Sequence, residues 1–228
     1  MVGPYGSIIA RLLRMPFEPT CHDWRVTERT LDGRRPWGMA VFLVVTGFVG
    51  LYGAFSLVLD EFTKAAHPHA VLHCDVNPFI SCSDVMASWQ GHLFGFPNPV
   101  IGVMGFVAPI AVGVMLLSGG ILRARGFWAA FNAGVFLAWV FITWLFTQTV
   151  WAIGALCPWC MLVWSMTIPM FWILTLWNLR RGHLPFGAGA RRLGETLWPY
   201  GWAFVLANYL IIALVIVVHF PNLLPTLF

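Results

Sequence analysis

Residues 126–179 read GFWAAFNAGVFLAWVFITWLFTQTVWAIGALCPWCMLVWSMTIPMFWILTLWNL, 54 positions without one Asp, Glu, Lys, Arg or His. A membrane-spanning helix needs ~20 apolar residues, so this run is too long for one span and must fold back on itself. The break falls at Gly154-Ala155-Leu156-Cys157-Pro158, because Pro158 has no amide hydrogen and suits the first turn of a new helix. One span is therefore expected over Phe127–Ile153 and another over Pro158–Trp177. Working outward, three more uncharged stretches are long enough to cross alone: Trp37–Leu59, Val100–Leu122 and Leu197–Val218.

Composition agrees with five spans. Of the 228 residues 59% are hydrophobic and 10% charged, whereas soluble domains carry ~25% charged residues. Such a chain cannot cover a water-facing surface, which excludes a soluble enzyme, a disordered tail and a nucleic-acid module. The net charge of +4 reads as topology. Arg11, Arg14, Arg25, Arg29, Arg34 and Arg35 precede the first span, Arg123 and Arg125 follow the second, and Arg180, Arg181, Arg191 and Arg192 follow the fourth. These are alternate loops, and only Lys64 falls on the other face. The positive-inside rule then predicts a cytoplasmic N-terminus and an external C-terminus. Arg34 and Arg35 abut the first span, so the first 35 residues do not read as a cleaved secretory peptide. The one long external segment, Asp60–Pro97, is expected to form a lid with one short helix starting near Ser83.

This topology puts Cys21 inside, as an incidental reduced thiol, and Cys74, Cys82, Cys157 and Cys160 outside, where thiols oxidise. Spacing divides the four into a loop pair, Cys74 and Cys82, and a Cys-x-x-Cys, Cys157-Pro158-Trp159-Cys160, at a helix start. A thiol there faces unpaired amides and the positive end of the helix dipole, which favours the thiolate. Cys160 lies one turn further in, toward lipid. Exchange from the loop pair to the Cys-x-x-Cys would carry electrons from external water to the membrane interior. Other readings of the same residues are two structural disulfides, a four-thiolate zinc site, and a copper or zinc site built from His67, His69, His73 and Cys74 in a non-enzymatic metal-binding or transport bundle. The thirteen Trp, nineteen Phe and nine Met line a flat aromatic pocket or simply pack and anchor in lipid. Asn98, between Pro97 and Pro99, is either an amide for a quinone carbonyl or a helix N-cap. Ser88 is either a loop cap or a support for the relay.

Taken in order, Cys74 and Cys82, Ser88, Phe96-Pro97-Asn98-Pro99-Val100-Ile101-Gly102 and Cys157-Pro158-Trp159-Cys160 resemble the vitamin K epoxide reductase family in its bacterial branch, over roughly Trp37 to Trp177. The resemblance implies an all-α membrane protein: a four-helix transmembrane bundle around a quinone, here with a fifth transmembrane helix and an external loop carrying a short helix. It divides the chain into a cytoplasmic segment 1–36, a catalytic bundle 37–179 with external loop 60–97, and a cytoplasmic loop with the fifth helix over 180–228. It implies a disulfide-generating oxidoreductase of the bacterial inner membrane that passes electrons to menaquinone or ubiquinone. By the same resemblance Cys160 is the quinone-side sulfur, Cys157 its exchange partner, and Cys82 and Cys74 the shuttle. Asn98 corresponds to the family's quinone-contacting Asn and Ser88 to its loop Ser. Many bacterial members carry a fused thioredoxin-like domain after the fifth span. None follows here, so a separate extracytoplasmic thioredoxin-fold (DsbA-like) protein is the expected partner, with no nucleic acid involved. Quinone reductases of the DsbB type carry the two pairs in the reverse order, which favours the first family.

Overall fold

The computed structural model describes residues 36–120 and 124–221. Cys21 and the expected cytoplasmic segment fall outside the described residues, Pro36 excepted. Helix α1 spans Trp37–Ala66, α2 Cys82–Ala87 and α3 Pro99–Leu117, with a 3-10 turn Trp89–His92 between the last two. Helix α4 spans Arg125–Gln148 and runs on through a π-turn, Thr149–Ile153. Then come α5, Pro158–Arg181, α6, Gly187–Leu197, a 3-10 turn Trp198–Tyr200, and α7, Gly201–His219. Five helical stretches among the described residues are long and apolar enough to cross a membrane, so this is an all-α, multi-pass membrane protein.

The break inside the 54-residue run lies where the sequence predicts. Gly154 adopts a left-handed conformation (φ 75°), Cys157 is the N-cap of α5 and Pro158 its first residue. Helix α3 stops at Leu117, short of the expected Leu122, and two larger departures concern the loops. The loop after the first span begins at His67 instead of Asp60, because α1 continues through Asp60-Glu61-Phe62-Thr63-Lys64-Ala65-Ala66. Charge marks where a helix leaves lipid, whereas Glu, Lys and Ala are good helix formers and carry the α1 backbone on into water. On the opposite face, the loop expected after the fourth span holds α6. It docks by Gly194, where a Cβ would lie 2.5 Å from the Arg180 amide nitrogen. Arg191 and Glu195 pair on its exposed side.

Helices in lipid associate by close packing and a few interhelical hydrogen bonds. Helices α1 and α3 meet through glycines: a Cβ on Gly113 would lie 2.8 Å from the Ala40 carbonyl oxygen, and one on Gly50 would strike the Phe106 ring. Helix α5 is central and buries Trp164, Ile168, Leu174 and Trp177. Helix α7 is peripheral, burying only Gly201 and Val205. It is held by Asn208, whose Oδ1 accepts from Trp139 Nε1 of α4 (3.1 Å) and Trp172 Nε1 of α5 (3.3 Å).

Candidate redox site

At one mouth of the bundle two loop strands pair for a single step. Ser81 N donates to Leu156 O (3.0 Å) and Leu156 N to Phe79 O (2.8 Å), an isolated parallel bridge between Ile80 and Leu156. Each strand then turns straight into a helix, α2 at Cys82 and α5 after Cys157. The bridge therefore sets the two cysteines side by side, with Cys82 Sγ 3.3 Å from Cys157 Sγ. Both are fully buried, and Leu57, Leu72, Cys74 and Met86 pack around them.

Cys82 is bonded to Cys74, and Cys157 and Cys160 are free thiols. Cys157 Sγ accepts from the Cys160 backbone amide at 3.4 Å, the side-chain bond of a helix N-cap. The short helix begins at Cys82 itself, one residue earlier than the sequence suggested. Ser81 is its cap, and its Oγ accepts from Asp84 N (3.2 Å).

Asp75 holds the lid around this disulfide. Its Oδ1 accepts from Ser83 N (3.0 Å) and Ser81 Oγ (3.2 Å), its Oδ2 from Leu72 N (3.1 Å) and the Ser83 hydroxyl. Burial alone would push this carboxyl up, but the hydrogen bonds from Ser83, Leu72 and Ser81 outweigh it and hold the group at about 2. Asp60, on the unforeseen extension of α1, brings Oδ2 to 3.5 Å from Cys74 Sγ.

Cys160 opens onto a cavity of about 540 Å³ between α1, α3, α4 and α5, roofed by Phe94 of the lid. That is ample for a flat ring, within the ~300–1,000 Å³ usual for small-molecule sites. The lining is almost wholly apolar, with Asn98, Thr167 and Cys160 as its polar members. Asn98 stands at the N-cap position of α3 but makes no side-chain capping bond. Its Nδ2 donates to Gln90 O at 2.6 Å, and its buried Oδ1 has no hydrogen-bond partner among the described residues. An unpaired buried amide oxygen is costly unless a ligand completes it. Gln90, buried in the lid and bonded to Gln148 Oε1 at 3.4 Å, thus fixes the Asn98 amide. Ser88 does not reach the cavity; its hydroxyl is spent on Val85 O (2.6 Å).

The metal alternative does not assemble. His67, His69 and His73 are all exposed. Among the described residues, the His, Cys, Asp or Glu group with ligand atoms close enough for an ion is Asp60, Cys74 and Cys82, whose two sulfurs are bonded to each other. Asp60, Asp75 and Gln90 were not singled out in the sequence. Ser81 and Asp84 around Cys82 carried a capping signal, whereas Asp60 and Gln90 carried none.

Residues 41–175, from α1 through most of α5, match the sequence model of the Vitamin K epoxide reductase family. The chain belongs to this family. No curated protein matches it. As a vitamin K epoxide reductase family member it is a membrane oxidoreductase working through cysteine pairs, in a family that uses quinone-type electron carriers. The cavity fits such a carrier. Its apolar walls suit the ring, and the Asn98 amide offers its second N–H to a carbonyl and its unpaired Oδ1 to a hydroxyl. Helices α6 and α7 lie beyond the matched residues.

Proposed function

We propose that this protein oxidises an extracytoplasmic thioredoxin-fold dithiol protein and delivers the electrons to a membrane quinone, menaquinone or ubiquinone. The N-terminus is cytoplasmic and the lid external in this reading, as the arginine distribution favours. The observation that carries it is the 3.3 Å gap between Cys82 and Cys157, joining a disulfide under the lid to a Cys-x-x-Cys whose inner sulfur faces an apolar cavity.

A partner thiolate attacks Cys74, forming a mixed disulfide and releasing Cys82 as thiolate. The partner's second thiol resolves the mixed disulfide, leaves as the oxidised partner and frees Cys74. In the enzyme's oxidised inner state, Cys82 attacks Cys157 and expels Cys160 as thiolate. Cys74 then attacks Cys82, re-forming the outer disulfide and releasing Cys157. The quinone, when bound, accepts two electrons and two protons. Cys157 and Cys160 surrender the electrons and close their own disulfide, while Asn98 orients the ring and the lid excludes water.

The test removes the first and last sulfurs of the exchange, Cys74 and Cys160. In the Cys74→Ala/Cys160→Ala protein, Cys82 and Cys157 are left as neighbours and should oxidise to a Cys82–Cys157 link, visible by peptide mapping without reduction. The Cys160→Ala protein should in addition lose quinone reduction. If that single variant keeps full turnover, or the double variant leaves both thiols free under mild oxidation, the relay is wrong.

A further inference from the structure

Asp60 exchanges no electrons in the relay, yet it touches it twice. Its Oδ2 lies 3.5 Å from Cys74 Sγ, and its carboxylate accepts a hydrogen bond from the side chain of Trp159, inside the Cys157-Pro158-Trp159-Cys160 turn. Its carboxylate oxygen, Cys74 Sγ and Cys82 Sγ all fall within 4.8 Å of one another. The neighbouring ionisable groups of α1 are otherwise engaged, Glu61 with His92 Nε2 (3.0 Å) and Lys64 with Ala70 O (2.6 Å). From the lid, His73 and Asp75 also face the Asp60 carboxylate.

We infer that Asp60 is the proton-transfer residue of the lid thiol Cys74, an inference that rests on the relay proposed above. Cys74 has two protonic tasks in each cycle. When the partner's second thiolate attacks the mixed disulfide, the partner–Cys74 S–S bond breaks and Cys74 departs with the electron pair. A proton on the Asp60 carboxyl moves to that sulfur, giving Cys74–SH and the Asp60 carboxylate. Later Cys74 must attack Cys82 in the Cys82–Cys157 disulfide. The carboxylate takes the proton back as the Cys74–Cys82 bond forms and Cys157 leaves as thiolate. Asp60 ends the cycle as it began, and the two electrons move only between sulfurs. Without Asp60, water must remove the Cys74 proton, which is slow below the ordinary thiol pKa of about 8.5. The Trp159 bond holds the carboxylate in place while the lid sulfurs exchange.

The experiment follows dithiothreitol-dependent reduction of short-tailed ubiquinone and menaquinone by the full chain in lipid nanodiscs, from about pH 5.5 to about 9.5. The Cys74→Ala/Cys82→Ala protein serves as the blank for any route that bypasses the lid. Asp60→Asn keeps the shape and a hydrogen-bond acceptor for Trp159, and its Cys74–Cys82 disulfide is checked on a non-reducing gel. General acid–base groups contribute about 10²–10⁴-fold, and for a half-exposed one the expected loss near pH 7 is about 10²-fold. That loss should shrink toward the alkaline end, where the thiol ionises unaided, and Asp60→Glu should regain most of the rate. A loss equal at every pH means that Asp60 merely supports the lid and overturns the inference. So does an Asp60→Asn protein as fast as the parent. A parent protein no faster than the blank instead removes the relay, and the role of Asp60 with it.

Discussion

Asp75 shows how one side chain gives a short loop a fixed shape. The nine residues from Cys74 to Cys82 contain a single hairpin-like contact, Asn77 with Ile80, and no regular strand. What orders them, beside the Asn77 Oδ1 that accepts from Phe79 N and Ile80 N, is the carboxylate that gathers Leu72, Ser81 and Ser83. Because the folded carboxyl sits at about 2, below its ordinary 3.8, the tether is complete above about pH 3.8 and is lost as pH falls through about 2. Asp75→Asn keeps an acceptor but forfeits the charge, roughly 1 kcal/mol of hydrogen-bond strength before solvent screening. Amide exchange at Leu72 and Ser83 should therefore quicken about 2–5-fold at pH 6 while the α5 amides stay unchanged. Equal protection in the variant would mean that the disulfide, not Asp75, orders the lid.

Among the elements, the α1–α3 pair most directly shapes the cavity, since Ala54 and Leu57 face Asn98, Gly102 and Phe106 across it. The pair approaches this closely because Gly47, Gly50 and Gly113 lack side chains. At Gly113 the obstacles are the Val44 Cγ2 methyl at 2.7 Å and two backbone atoms, Ala40 O and Val44 N, and the backbone atoms cannot swing aside. Gly113→Val should force the helices apart and lower stability to detergent unfolding by about 1–3 kcal/mol, the usual cost of overpacking. Gly38 lies on the same helix as Gly47 with nothing within 4 Å of its Cβ position, so Gly38→Ala should be neutral or slightly stabilising. Equal midpoints for Gly113→Val and the parent would show that the helices meet elsewhere. The glycines were visible in the sequence, but a spacing of three does not say which neighbour a helix face meets.

Over the whole molecule the two ends of the bundle are built for different tasks. The lid end carries the sulfurs. The opposite end is locked by a buried polar chain in which Asn178 Nδ2 donates to Asn132 Oδ1 (3.1 Å) and Asn178 Oδ1 meets His183 Nδ1 (3.0 Å). That pairing assigns the imidazole proton to Nδ1, since the amide oxygen only accepts. His183 stacks on Trp128 at 5.1 Å and meets Trp177 edge-on at 5.0 Å. Burial first, then the charges of Arg181 and Arg125, hold its pKa at about 4 against the ordinary 6.5. The folded protein thus keeps the neutral ring while the unfolded chain takes up a proton. This contribution is complete above about pH 6.5 and falls away as pH drops toward about 4. The unfolding midpoint in detergent should decline across that window, and His183→Gln should flatten the decline by removing the titrating group. An unchanged slope in the Gln variant would sink the assignment.

Spans, the break at Gly154–Pro158 and the place of Cys157 as a helix cap were legible in the chain itself. Each depends on information local in sequence: apolar length against the thickness of lipid, a missing amide hydrogen at Pro158, a thiol one residue before it. The order of the cysteine pairs was equally readable, and with it the family. Tertiary structure decided the rest. Ile80 and Leu156, 76 positions apart, pair and so set Cys82 beside Cys157. The chain leaves Asn98 open between a helix cap and a cavity group, and it faces the cavity because Gln90, folded over from the lid, claims its amide. Asp60 looked like the first residue of a loop, yet one further stretch of helix carries it to Cys74. Hydrophobicity sorts residues between lipid and water along one dimension. Which polar atoms then face each other is settled only when the helices pack, because hydrogen bonds and sulfur exchange act over a few ångströms between segments the chain order does not bring together.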